Sequence, residues 1–331
     1  MAKIVTTALA FFALGIAAAA AQPAAEFFKG KTVTYVVATA PGGGYDTYGR
    51  LITRYMPKYV TGAKMVVKNV PGAGHIVGTN TVYAAKPDGL TIGTFNTGLI
   101  FAQLLKDEGI KFDLAKMSWI GKASSDPRAM VLTKNSGLKE LSALTDAGKP
   151  PHKIAAAGLG SSSYIDMKLV AEALHLNVEL IPGFNGNEGE MSMLRGEVVG
   201  TLGSLSSMQP FVDNGNGIFV LQVGGTPKAG IPDGMTLVKD ERGKQLMSLV
   251  AAEGVIGRLT AGPPDMPADR LAYLRSAYMK TMADAEFLAE AKKLDVPIDA
   301  ADGQTTEKIV KQALAQTPET VKLLATVVNA K

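Results

Sequence analysis

Lys31-Thr32-Val33-Thr34-Tyr35-Val36-Val37-Ala38-Thr39-Ala40-Pro41-Gly42-Gly43-Gly44-Tyr45-Asp46 decides how this chain is read. Its first half is rich in β-branched and aromatic residues, the composition of a strand buried on both faces. A proline and three glycines then break it, where backbone can turn tightly and approach a ligand with no Cβ in the way. From Asp46 to Met56 the apolar residues Tyr48, Leu51, Ile52, Tyr55 and Met56 fall at helical spacing and predict a helix packed on a sheet. A strand, a glycine turn and a helix start aim free N–H groups and a positive dipole end at one point, which suits an anion.

The theme recurs along the chain. Lys64 to Val70 reads as a second strand closed by Pro71-Gly72-Ala73-Gly74-His75, with a helix from Ile76 stopped by Lys86-Pro87-Asp88-Gly89. A third strand, Leu90 to Phe95, ends in Asn96-Thr97-Gly98. Ser118 to Gly121 and the polar stretch Lys122 to Arg128 read as an exit from this first unit. Ala129 to Thr133 restarts the pattern, and Leu138 to Leu144 reads as a short helix. Ile154 to Ala157 runs into Gly158-Leu159-Gly160-Ser161-Ser162-Ser163, whose hydroxyls suit the cap of a helix carrying Ile165, Leu169, Ala173 and Leu176. Val178 to Ile181 follows and ends in Pro182-Gly183-Phe184-Asn185-Gly186-Asn187. Val198 to Leu202 and Ile218 to Val223 are further strands, around a helix near Met208 to Asp213. Val255 to Ala261 crosses back, and a long helix runs from Ala268 to about Met282. Alternating strands and helices imply parallel sheets with ligands beyond the strands' carboxyl ends. The expected fold is α/β, a two-lobed clamshell with residues 22–125 and 255–331 as lobe 1 and 126–254 as lobe 2.

Of 331 residues, 47% are hydrophobic and 19% charged, as in a folded α/β protein, and the net charge of +4 is too mild to argue for nucleic acid. Residues 1 to about 21 read as a secretory signal: Lys3, an apolar run from Ile4 to about Ile16, and Ala19-Ala20-Ala21 as a cleavage site before Gln22. The chain has no cysteine, so disulfides, thiol nucleophiles and a lipidated N-terminal cysteine are excluded. An exported protein is expected, in the periplasm where the cell has one.

Rival chemistries fail on spacing. Gly44 and Gly49 stand as far apart as the glycines of a phosphate loop, but Arg50-Leu51 replaces the required lysine and hydroxyl residue. Gly158 to Ser163 resembles a dinucleotide fingerprint without its third glycine, and Glu179 begins its strand where the ribose-binding acid should end one. No G-x-S-x-G is present, and Ser136 with Lys139 lacks the companion motifs of an S-x-x-K hydrolase. His75, His152 and His175 have no metal-ligand spacing. No catalytic residue, metal or cofactor is expected.

The residues together resemble the receptor proteins of tripartite tricarboxylate transporters, the TctC or Bug-type solute-binding proteins. The resemblance rests on Pro41-Gly42-Gly43-Gly44-Tyr45-Asp46, Val66-Val67-Lys68-Asn69 before Gly72-Ala73-Gly74, and Lys86-Pro87-Asp88-Gly89-Leu90-Thr91-Ile92-Gly93. Trp119-Ile120-Gly121, Gly196-Glu197-Val198 and Pro263-Pro264 with Pro267 continue it across the rest of the chain. It implies a type II periplasmic-binding-protein fold, a Venus flytrap closing on a small mono-, di- or tricarboxylate. The ligand would be held by backbone and small polar groups, often through water. It also implies a monomer that docks on a membrane permease of one large and one small subunit. By position the binding loops are Gly42, Gly43, Gly44, Tyr45 and Asp46; Gly74 and His75; Asn96 and Thr97; and Gly160, Ser161, Ser162, Ser163 and Tyr164. Phe184 and Asn185 join them from the turn after the next strand. Two departures stand out: Tyr164-Ile165-Asp166 follows the serine turn where many members have a histidine, and His75 replaces a common glycine. A periplasmic sensor with a signalling partner is the alternative function, and an exported enzyme acting on a small acid the third.

Overall fold

The computed structural model describes residues 23–330, so the secretory segment read at residues 1–21 lies outside the described residues. The strands are Thr32–Val37 (β1), Lys64–Asn69 (β2), Thr91–Thr94 (β3), Ser118–Lys122 (β4), Arg128–Thr133 (β5), His152–Ala155 (β6), Val178–Ile181 (β7), Gly200–Ser204 (β8), Gly217–Val223 (β9), Leu259–Gly262 (β10) and Ala301–Asp302 (β11). They form two sheets, in the orders β11-β4-β10-β3-β1-β2 and β7-β6-β8-β5-β9. Each sheet is the centre of one α/β lobe.

The opening stretch folds as its composition dictates. In β1, Val33, Tyr35, Val36 and Val37 are fully buried, between β2 and β3. β2 is the sheet edge, which is why Val66 is left half exposed. The helix after β1 spans Gly44–Tyr55 and buries Tyr48, Leu51 and Ile52, while Met56 starts a short 3₁₀ turn. In the second lobe the helix Ser162–Leu174 is capped by the Ser161 hydroxyl, which accepts from the Tyr164 N–H.

Three expectations need correction. Neither sheet is wholly parallel: β1, β2 and β3 are, as are β6, β7 and β8, but β10 runs antiparallel between β3 and β4, and β5 antiparallel between β8 and β9. β10 and β5 enter from the other lobe, so no helix on the same sheet forces them parallel, and the short edge strand β11 also runs antiparallel to β4. Ser118 to Gly121 is accordingly a strand of the first sheet as well as the way out of it. Nor do the C-terminal helices cover one lobe alone. Ala268–Met282 and Gly303–Leu314 lie on β4, but Pro318–Val328 packs against Ser162–Leu174 of the second lobe and Leu99–Leu105 of the first. The predicted helix at Leu138 to Leu144 shrinks to a 3₁₀ turn, Leu141–Leu144.

The two crossovers run side by side. One joins β4 to β5; the other joins the helix Glu241–Ile256 to β10. The Ala123 N–H donates to the Arg258 carbonyl, the Arg258 N–H to Ser124 and the Asp126 N–H to Gly254, at 2.8, 2.9 and 2.8 Å. A two-stranded hinge of this kind lets the lobes swing while the connection keeps its hydrogen bonds. Gly257 is its tightest point, with φ +54° and the Ser124 carbonyl oxygen 1.7 Å from where a Cβ would sit. Gly257→Ala should therefore lower stability well beyond the ~1 kcal/mol of left-handed strain alone. Gly230→Ala, at φ +82° with open space around it, should show only the strain. Equal urea midpoints for the two variants would contradict this reading of the hinge.

Candidate functional site

Backbone meets backbone where the lobes face each other. A Cβ on Gly74 would lie 2.0 Å from the Leu159 carbonyl oxygen, one on Gly98 2.4 Å from the Ser162 nitrogen, and one on Gly43 3.3 Å from the Gly186 Cα. Asn96 fastens this contact: its Oδ1 accepts from the Gly98 N–H at 2.9 Å, the Ser162 N–H at 2.9 Å and the Ser162 hydroxyl at 2.7 Å. Thr97 adds a second tie, its hydroxyl donating to Glu253.

Between these contacts lies a cavity of about 130 Å³. Its lobe 1 wall comes from Thr39, Gly43, Gly44, Tyr45, His75 and Asn96, and its lobe 2 wall includes Ala155, Ala156, Ala157, Ser162, Ser163, Phe184 and Thr201. The first and second glycine turns and the serine turn thus converge on one space. Gly42 lines a neighbouring cavity of about 200 Å³.

The remaining expected positions sit elsewhere, each for a visible reason. Asp46 is buried beneath its turn, where it accepts from the Gly42 N–H, Arg50 and Asn69, and the hydrogen bonds outweigh burial to hold its carboxyl below the usual range. Gly74 and Gly160, at φ +59° and +79°, shape their turns. Thr97 and Ser161 spend their hydroxyls on Glu253 and on the helix cap. Tyr164 lies beneath Lys168, and Asn185 bonds to Gly183 within its own turn.

Two arginines in the wall carried no expectation. Arg128 begins β5, and its Nε donates to Asp166 at 2.7 Å and an Nη to Ser204 at 3.1 Å. Arg258 sits in the hinge, with Nη2 donating to Asp126 at 3.0 Å and to the Ser207 hydroxyl at 2.8 Å. Its guanidinium lies 4.6 Å from the Tyr45 ring centre and 5.2 Å from that of Tyr48, a cation–π stack that fixes its plane. Both side chains are almost wholly buried, yet Arg258 Nε has no hydrogen-bond partner. An arginine inside an apolar strand or hinge segment was the available signal, since a buried guanidinium demands partners.

Behind Arg128 two carboxyls adjoin. Burial and the charge of Glu253 push Asp166 well above the usual carboxyl range, against the pull of Arg128. Arg128 thus faces two adjoining acidic side chains, Asp166 directly and Glu253 behind it. His75 is also buried and neutral: burial lowers it, despite the bond from Nδ1 to the Ala38 carbonyl at 2.8 Å. Among the described residues no cluster could hold a metal, and no helix is long and apolar enough to cross a membrane.

Two mixed sheets, a double crossover and a polar cavity between the lobes define a type II periplasmic-binding-protein fold. The chain belongs to the tripartite tricarboxylate transporter family receptors, whose model matches residues 50–325. Among its relatives, the UPF0065 protein in the tcbD-tcbE intergenic region of Pseudomonas sp. (strain P51) is 27% identical over 187 residues, 56% of this chain and 55% of that protein. A UPF0065 protein of Bordetella pertussis is 29% identical over 195 residues, 57% of this chain and 59% of that one. The matched stretches thus span little more than half of these relatives' length. Among solved structures, the periplasmic binding protein BugD superposes with a TM-score of 0.75 at 20% identity, over 90% of this chain and 97% of that one. MatC from Rhodopseudomonas palustris, solved with bound malate, gives 0.72 at 22%, over 90% and 99%. A second R. palustris protein, solved with adipate, gives 0.73 at 17%, over 89% and 97%. At these identities the structural likeness establishes the fold.

The neutral state of His75 makes stability depend on pH. Its folded pKa lies below the unfolded value of about 6.5, so its contribution is complete above that pH and is lost as the pH falls through the folded value. His75→Asn, which tolerates the left-handed φ of +78°, should flatten this acid-side loss in urea titrations between about pH 7 and pH 5. A variant with the wild-type slope would contradict the assignment.

Proposed function

We propose that this chain is a periplasmic receptor that captures a small organic carboxylate and delivers it to a membrane permease of one large and one small subunit. The observation that carries the reading is Arg258. It is a buried, stacked guanidinium in the hinge, at the wall of an inter-lobe cavity, with an N–H left without a partner. A carboxylate brought against this guanidinium in the cavity would also meet Ser207, the Gly43–Gly44 turn and the serine turn. Each bond between a charged group and a hydrogen-bond partner is worth about 1.5–3 kcal/mol. Several of them, less the cost of closure and of lost ligand freedom, correspond to a micromolar dissociation constant, near −8 kcal/mol.

The reading includes lobe limits at 125/126 and 254/255, export with cleavage near Ala21, and action as a monomer. It includes no catalysis. The side chains that could serve an acyl transferase as nucleophile and base are engaged elsewhere in this cavity: Ser162 bonds Asn96, Ser163 accepts from the Ala157 N–H and His75 bonds Ala38. Malate and adipate, bound by the two R. palustris proteins, support a carboxylate here.

A thermal-shift screen of mono-, di- and tricarboxylates and amino acids tests the reading. A ligand at 100 times its dissociation constant should add about 2.7 kcal/mol of stability. Gly43→Val places a side chain against the Gly186 backbone and into the cavity mouth, at an ordinary φ of −95°. It should abolish the ligand-induced shift and leave the ligand-free melting temperature nearly unchanged. Undiminished affinity in this variant would contradict the site.

A further inference from the structure

Glu190 lies on the short helix Glu188–Leu194 and lines both the inter-lobe cavity and the neighbouring one of about 200 Å³. Gly43, Gly44, Gly186, Ser207 and Met208 also border both spaces. Glu190 therefore stands at the passage between them. Every other charged group on these walls has a counterpart. Arg128 is paired with Asp166, which adjoins Glu253, and Arg258 is paired with Asp126. His75 is neutral and bonded to Ala38, and Tyr45 and Tyr48 lie against Arg258. On its own segment, Glu188 accepts from the Asn185 N–H. Among the described residues Glu190 alone of these groups has no ion pair or hydrogen bond, though it is partly buried. Burial by itself pushes its carboxyl up to about 7, and no cation is close enough to oppose it.

We propose that Glu190 determines which charge state of the ligand the cleft accepts: the ligand's far end offers it a hydrogen-bond donor, and a dicarboxylate enters only together with a proton. This rests on the carboxylate reading above and deepens it. With Arg258, already paired with Asp126, taking one carboxylate, the cleft has no cation free of an acidic partner for another. A hydroxyl or amino group at the far end would donate to ionised Glu190. A second carboxylate would face that anion at the passage between the two cavities, where like charges repel. One proton shared between the two carboxyls removes the repulsion and supplies the hydrogen bond.

The test compares matched ligands that differ only at the far end: succinate with γ-hydroxybutyrate, and adipate with its ω-hydroxy monoacid. Calorimetry on the mature protein at pH 8, in two buffers of different ionisation heat, counts protons. About one proton should be taken up per dicarboxylate bound, and about none per hydroxy acid. Dicarboxylate affinity should fall with rising pH above 7, approaching tenfold per pH unit and amounting to roughly fifteenfold between pH 7 and pH 8.5. Glu190→Gln should abolish both the uptake and the slope while weakening the hydroxy acids, and Glu190→Asp should retain the uptake. Dicarboxylate binding without uptake, or with uptake that persists in Glu190→Gln, overturns the assignment of Glu190 and leaves the carboxylate reading intact. Binding of none of the four acids overturns both.

Discussion

The site depends on how closely the backbones of the two lobes approach. At Gly74 against Leu159, Gly98 against Ser162 and Gly43 against Gly186, a methyl group would collide with or crowd the opposing main chain. Glycine removes that obstacle and allows peptide groups from one lobe to face the other. Asn96 exploits the approach, because one carbonyl oxygen satisfies donors from both sides. The cavity exists because the turns meet at these points and stand apart between them.

Apart from Glu190, charge at the walls of that cavity is arranged as pairs. Arg128 with Asp166 and Arg258 with Asp126 are buried ion pairs, and burial of this kind is costly unless the geometry is good. They hold two guanidinium planes at fixed positions without giving the cleft a large net charge. Arg258 has the more instructive position, since it belongs to the hinge, stacks on tyrosines of lobe 1 and bonds Ser207 of lobe 2. A ligand touching it contacts both lobes and the segment about which they move.

Local signals were legible where one residue type has one physical use. The β-branched run of β1, the glycines after it, the serine cap at Ser161 and the helix Ala268–Met282 all fold as their composition indicates. The convergence of Gly43, His75, Asn96 and Ser162 followed from the rule that ligands lie beyond strand ends. At Asp46 an acid beside a glycine turn suits either a ligand or its own backbone, and its bonds to Gly42, Arg50 and Asn69 are visible only in three dimensions. Antiparallel β5 and β10 were hidden because strand direction is set by the lobe from which the chain arrives.

By itself the sequence determined the α/β class, the glycine and hydroxyl turns and the family, because these depend on propensity and order along the chain. Tertiary structure alone decided that Arg128, Arg258 and Glu190 share a cavity with those turns. These residues lie on β5, the hinge and a short helix, far apart in sequence, and a charge shows its role only when its partners and burial are fixed in space.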